Sequence, residues 1–293
     1  RRRTRLRPRM HTILRSATKQ VTIGAGQPFC VIGERINPTG RKIFQEQLRA
    51  GDLSAIERDV DVQVAGGADV LDVNMGVPLT DEPDLLARAI KLVQSKTDLP
   101  ICIDSSVVEA IEAGLQAYEG RALVNSVTAE DDRLAAILPL VKKHDAAVIA
   151  LPNDEDEIPM EADKRLRLVD KIVEVATTEY DIAKADVVID PLAMPIGADA
   201  TVVRTFVETT AGIRDRHGLN TTCGASNVSF GMPGRHQLGA AFLPMAMGAG
   251  LTSAIMDART PEIVESVRAG DVLLGSDEWG MSWIAAYRAK QEP

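Results

Sequence analysis

The sequence predicts a (β/α)8 TIM barrel, on three observations. Short apolar runs alternate with helix-length amphipathic stretches eight times over. The 293 residues match the size at which such barrels form one unit, and aromatic residues make up only 3% of a chain that is 45% hydrophobic. Strand–helix alternation builds parallel sheets through right-handed crossovers. Eight such units favour closure into a ring over an open doubly wound sheet, the other architecture compatible with the pattern. A core of Val, Ile, Leu, Ala and Met suits helix-covered parallel strands better than a sandwich with aromatic corners.

In chain order, residues 1–28 read as an N-terminal extension and 29–290 as the barrel. Residues 1–9 hold six arginines and precede Met10. They read as sequence upstream of a natural start, or foreign to the natural chain, and are set aside from the fold. Stretches 12–18 and 20–26 suit a hairpin that plugs the lower end of the barrel. Strands are predicted at 29–33, 70–74, 101–104, 122–125, 146–150, 187–190, 221–226 and 252–256, because each is a short apolar run bounded by turn residues. Helices are predicted between and after them at 53–65, 84–95, 107–117, 131–143, 164–181, 200–216, 236–247 and 261–270, where apolar residues recur at helical spacing. A short helix at 279–289 ends the chain. From 236 to 256 only His236 could carry a charge, but Gly239, Pro244, Gly248, Gly250, Thr252 and Ser253 interrupt the run. It reads as a buried helix followed by a strand, not as a membrane span.

Charge and cysteine content narrow the function. The net charge is −9; with six of the 33 basic side chains in the first nine residues, the remainder holds 27 against 42 acids. An acidic body argues against a nucleic-acid partner. Cys30, Cys102 and Cys223 lie far apart in apolar runs and read as reduced, buried thiols of a cytoplasmic protein. No CxxC or His–Cys cluster occurs, so no bound metal is expected. No Ser-His-Asp or Cys-His arrangement and no strand-end lysine suggests a covalent mechanism. A phosphate-handling barrel would place glycine-rich loops after the seventh and eighth strands; Gly231 and Gly234 follow the seventh, but Gly248 and Gly250 precede the eighth.

Nearly every predicted strand ends in a residue that a pure core would not choose. These are Glu34, Arg35 and Asn37; Asp72 and Asn74; Asp104 and Ser105; Asn125 and Ser126; Asn153; Asp190; Ser226 and Asn227; and Asp257. In a closed parallel barrel these ends share one face, the usual place of an active site. Burying such groups without partners costs roughly 1–3 kcal/mol each. Any one of them has a second reading as a cap of the following helix; a ligand accounts better for all eight. The set is rich in carboxylates and amides, which suits a flat heterocycle with a fixed donor–acceptor edge, such as a 2-amino-4-oxo pyrimidine.

These motifs carry a resemblance. Val31-Ile32-Gly33-Glu34-Arg35-Ile36-Asn37 is similar to the opening strand of methyltetrahydrofolate:corrinoid methyltransferases and of the folate domain of cobalamin-dependent methionine synthase. The similarity continues through Leu71-Asp72-Val73-Asn74, Cys102-Ile103-Asp104-Ser105, Val124-Asn125-Ser126, Ile189-Asp190-Pro191-Leu192, Ser226-Asn227-Val228-Ser229 and Ala254-Ile255-Met256-Asp257-Ala258. The resemblance implies a barrel of the pterin-binding type. It implies an enzyme that moves the N5-methyl group between methyltetrahydrofolate and the cobalt of a corrinoid (cobalamin) held by a separate corrinoid-binding protein, since no corrinoid domain is visible in this chain. It implies that Asp190 pairs with the pterin N3–H and 2-amino group, and that Asp104 and Asn125 hold the other ring nitrogens and the carbonyl edge. Asn227 is expected near N5, in a network joined by Asp72 and Asn74 through water. Ser226 and Arg235 fall in the same site, with Arg235 ordering that network or the folate tail; Glu34 and Asn37 line the pocket floor or brace loops. A homodimer also comes with the resemblance, although no helix pattern specifies one. Dihydropteroate synthase shares the pterin-binding barrel and is the alternative, but Ser226-Asn227-Val228-Ser229 stands where that enzyme would carry a Ser-Arg-Lys segment. A folate-binding module without catalysis is the other.

Overall fold

The computed structural model describes residues 10–155, 158–289 and 291; the arginine tract at 1–9 lies outside them. The chain enters through an antiparallel hairpin, β1 (His11–Arg15) and β2 (Gln20–Gly24). It then alternates: β3 (Cys30–Ile36), α1 (Lys42–Arg49), α2 (Ser54–Ala65), β4 (Val70–Asn74), α3 (Glu82–Lys96), β5 (Ile101–Asp104), α4 (Val108–Ala117), β6 (Leu123–Thr128) and α5 (Asp131–Lys143). There follow β7 (Ala147–Leu151), α6 (Ala162–Thr178), β8 (Val187–Ile189), α7 (Val202–His217), α8 (Arg235–Ala249), β9 (Ser253–Met256), α9 (Pro261–Leu274) and α10 (Met281–Ala289). The main sheet is parallel, in the order β8-β7-β6-β5-β4-β3-β9.

Two expectations need correction. The strand predicted at 221–226 is not a regular strand. Residues 220–224 instead span the gap between the sheet's two edges through single bridges, Thr221 to Ile189 of β8 and Gly224 to Ile255 of β9. The Thr222 N–H donates to Ile189 O at 2.9 Å and the Ile255 N–H to Cys223 O at 2.8 Å. This closes the ring at its eighth position. The ladder stops because the chain turns at Gly224 into a 3-10 turn, Ala225–Asn227. Helix α1 was not predicted; its eight residues bury only Phe44 and Leu48, too short a repeat to stand out.

Side chains alternate across each strand, and this parity builds both the core and the mouth. Cys30, Ile32, Val70, Cys102, Leu123, Ala147 and Val188 point into the ring, whereas Val31, Leu71, Ile103, Val124, Val148 and Ile189 pack under the helices. Leu14 and Ile23 of the hairpin fill the lower end of the ring against the inward set. The hairpin is pinned there by Asn220, whose amide donates to Thr12 Oγ1 (3.0 Å) and Ile23 O (2.9 Å). Arg121 donates to Ile13 O at 2.7 Å and pairs with Asp186 at 2.6 Å.

Close approach of α2 to the loop after β9 requires glycine at its end. A Cβ on Gly66 would lie 2.0 Å from the carbonyl oxygen of Ala258. Gly66→Ala is therefore expected to destabilise the barrel by about 2 kcal/mol, because a backbone carbonyl cannot rotate away; an unchanged urea midpoint would contradict this packing. Among the described residues no helix is long and apolar enough to cross a membrane.

Candidate active site

Two residues beyond the inward-facing aliphatics, the same parity delivers polar groups. Ile32 leads to Glu34, Val70 to Asp72 and Asn74, Cys102 to Asp104, Leu123 to Asn125, and Val188 to Asp190. Register places Asn74 beside Asp104, and Asp104 beside Asn125. Strand parity and register thus bring Asp72, Asn74, Asp104, Asn125 and Asp190 to the same end of the ring.

Asp72 and Asp104 are hydrogen-bonded to each other within this group. Asn125 Nδ2 donates to Asp72 Oδ1 at 3.2 Å, and the Asn74 side chain bonds Asp104. Burial pushes the Asp104 pKa up to about 6. Burial, then the neighbouring charge of Asp104, holds Asp72 well above the ordinary carboxylate range. Burial and the hydrogen bond between the two acids thus both favour a proton held within the pair. Ser105 donates to Glu82 of α3 and accepts from the Val107 N–H at 2.9 Å, which fixes the loop after β5.

Asp190 stands at the end of β8. Burial pushes its pKa up to about 6, against the Leu192 N–H at 2.8 Å, the charge of Arg165 and the Gly224 N–H. Arg165, on α6, is fully buried. It donates to Pro159 O (2.7 Å), Pro191 O (2.6 Å) and Leu192 O (2.9 Å). These bonds clamp a turn in which Leu192 adopts left-handed backbone at φ 67°, a conformation that costs a non-glycine residue roughly 1–2 kcal/mol.

A second group forms where β3 meets the turn after Gly224. Ser226 Oγ lies 2.9 Å from both carboxylate oxygens of Glu34. Burial raises the Glu34 pKa, and the Ser226 hydroxyl offsets part of that rise. Arg235, the first residue of α8, donates to Ser226 O at 2.8 Å and stacks over Phe230, 5.6 Å from the ring centre. A cavity of about 170 Å³ opens here, lined by Glu34, Arg35, Ser226, Arg235, His236 and Asp257 among others.

Asn227 is exposed in the turn between the two groups. Its amide lies where a Cβ on Gly224 would meet it at 2.9 Å, so glycine there makes room for it. Its side chain has no direct bond to Asp72 or Asn74. Asn37 stands apart: its Oδ1 accepts from the Thr39 N–H at 2.9 Å and braces its own turn. Arg165 and Glu82 escaped the sequence reading. Both sit in amphipathic helices among other charges, and nothing local marks them as facing inward. The Arg259–Asp257 pair at 2.6 Å also appears only in three dimensions.

The mouth is rich in hydrogen-bond acceptors, and in it two carboxyl groups bond to each other where burial favours the protonated form. It can grip a ring that presents several N–H donors and can pass a proton to it. Among the described residues no cluster of three or more His, Cys, Asp or Glu could hold a metal ion.

Comparison with known proteins agrees with this geometry. A family model described as pterin binding enzyme matches residues 33–257. The methylcorrinoid:tetrahydrofolate methyltransferase of Eubacterium limosum is 29% identical over 264 residues, covering 88% of this chain and 96% of its own length. Methionine synthase of Mycobacterium leprae is 34% identical over 241 residues, which are 78% of this chain and 20% of that enzyme; this chain spans about a fifth of it. Among solved structures, dihydropteroate synthase from Xanthomonas albilineans in complex with 7,8-dihydropteroate superposes with a TM-score of 0.64 at 18% identity, covering 89% of this chain and 98% of that one. At that identity the likeness is one of fold.

Proposed function

The chain belongs to the pterin-binding enzyme family, and from that premise we propose that it moves the N5-methyl group between methyltetrahydrofolate and the cobalt of a corrinoid carried by a separate protein. The observation that carries the proposal is the acceptor-rich mouth, with Asp190 on one side and the Asp72–Asp104 pair on the other. Similarity to a methylcorrinoid:tetrahydrofolate methyltransferase along nearly its whole length supports it.

In this reading Asp190 accepts from the pterin N3–H and 2-amino group, a paired and charge-assisted contact. Asp104 and Asn125 take the remaining ring edge. N5 is a poor leaving group until it gains positive character. As the cobalt(I) electron pair attacks the methyl carbon, the C–N pair returns to N5, and a proton delivered there gives tetrahydrofolate. An asparagine cannot supply that proton. Asn227 stabilises the protonated amine through its carbonyl oxygen, and the Asp72–Asp104 pair supplies the proton through water, with Asn74 holding Asp104. The same groups serve the reverse direction. Ser226, Glu34 and Arg235 hold the turn that presents Asn227.

The decisive assay follows cob(I)alamin consumption with methyltetrahydrofolate. Asn227→Ala is expected to lower the transfer rate by about 100-fold while weakening folate binding by less than about tenfold. Equal losses in both would remove Asn227 from the chemistry. Condensation of p-aminobenzoate with a pterin diphosphate, without methyl transfer, would replace the proposal with the synthase reading.

A further inference from the structure

We infer that Arg165 is a positioning residue of the mouth: its buried guanidinium opposes the charge of Asp190 and ties the loops after β7 and β8 into a single wall. The inference rests on the folate reading above, in which Asp190 takes the pterin edge. Arg165 is fully buried on α6, a place that arginine almost never takes without a partner for its charge. Asp163 and Arg167 of the same helix are exposed. The hydrogen bonds of Arg165 go to main-chain oxygens and not to a carboxylate. Nε donates to Pro159 O at 2.7 Å, and Nη1 to Pro191 O at 2.6 Å and Leu192 O at 2.9 Å. Nη2 is buried without a partner among the described residues.

Pro159 lies in the loop after β7, and Pro191 and Leu192 in the loop after β8. One rigid, planar fork therefore holds both loops. The second loop is also held by the acid itself, since the Leu192 N–H donates to Asp190 Oδ1 at 2.8 Å. Leu192 thus joins the two charged groups, bonded to the carboxylate through its N–H and to the guanidinium through its carbonyl. A charge taken this far from water has to be opposed by another. Asp190 is the charged group that acts on Arg165, and Arg165 is the cation that acts on Asp190. The Leu192 and Gly224 N–H groups complete the polar surroundings of Asp190. Cys223 faces Asp190 from the eighth position of the ring, but burial holds its thiol well above its ordinary range, so it stays uncharged. Arg165 then does two separable things. Its charge keeps Asp190 ionised for a ligand, and its fork keeps Asp190 aimed.

Methyltetrahydrofolate binding to the full chain between pH 5 and 8, read beside turnover with cob(I)alamin, separates the two. Arg165→Gln keeps a donor and loses the charge. The pH at which affinity falls is expected to rise from about 6 by about one unit, which costs about fivefold in affinity at pH 6 and almost nothing at pH 8. Arg165→Lys keeps the charge and loses the fork. Its midpoint should stay where the wild type has it, while turnover falls by about tenfold because the acid is no longer aimed. A purely structural clamp would weaken binding by one factor at every pH and leave the midpoint in place in both variants, and that result overturns the inference. Should Arg165→Gln not fold, the lysine variant decides alone: a midpoint that moves although the charge is kept, or turnover equal to the wild type's, overturns it. A wild type that binds no methyltetrahydrofolate refutes the folate reading, and this role falls with it. A wild type that binds, beside a glutamine variant with an unmoved midpoint, refutes the role and leaves that reading standing.

Discussion

Asp190→Asn is expected to weaken methyltetrahydrofolate binding by about two orders of magnitude, the largest effect of any conservative change at the mouth. The substitution keeps the shape and removes the charge. Of the two donors that the carboxylate would take from the pterin edge, the amide can accept only one; its NH2 faces the other, donor to donor. Losing a charge-assisted pair and leaving a buried donor unmatched costs about 3 kcal/mol. The pH dependence follows from the position of the titration. The free protein holds Asp190 at a pKa of about 6, and the ligand needs the ionised form. Affinity should therefore be level above neutrality and fall as the pH drops through about 6, with a shallower fall in the variant. Calorimetric titration between pH 5 and 8 measures both. A variant that binds as tightly as the wild type at pH 7.5 would take Asp190 out of the pterin site.

Asp104→Asn is expected to stabilise the ligand-free protein while impairing its chemistry. Folding raises the Asp104 pKa from 3.8 to about 6, so the folded state favours the protonated acid. The stability contributed by that proton is fully present below 3.8 and is lost as the pH rises through about 6. At pH 7.5 the wild type carries the whole burden of a buried carboxylate, about 3 kcal/mol at 1.36 kcal/mol per pKa unit. An amide has no such burden, so the variant should gain up to that amount at pH 7.5 and almost nothing near pH 4. Denaturant melts at the two pH values check the sign. A variant less stable than the wild type at pH 7.5 would mean that another group neutralises Asp104 in solution. The trade is the familiar one between a strained, useful site and a stable fold.

Much of this was legible in the sequence because strands write their geometry in a two-residue period. Val70-Leu71-Asp72-Val73-Asn74 states that Asp72 and Asn74 face the same way as its first valine, and the other strand ends repeat the statement. What stayed hidden depends on tertiary placement. The eighth position of the ring is held by single bridges around Gly224, so no regular run announces it as irregular. Arg165 sits in a helix with Asp163, Lys164 and Arg167, and only the packed structure separates the one that turns inward. For Asn37 the sequence left two readings open, pocket floor or loop brace, and only the packed structure shows its amide oxygen bonded within its own turn. The exposure of Trp279, just before the C-terminal helix, likewise shows only in the packed structure.

The shared parity of core and mouth has a consequence for how such a barrel can change. A single-residue insertion or deletion within β4, β5 or β6 would rotate everything beyond it by half a turn. Leu71 or Ile103 would swing into the ring and the neighbouring acid would swing out under a helix. Packing and chemistry are thus locked to one reading frame. Length variation can accumulate only beyond the strand ends, in the connecting loops, where a substrate's outer parts and a visiting protein would be met.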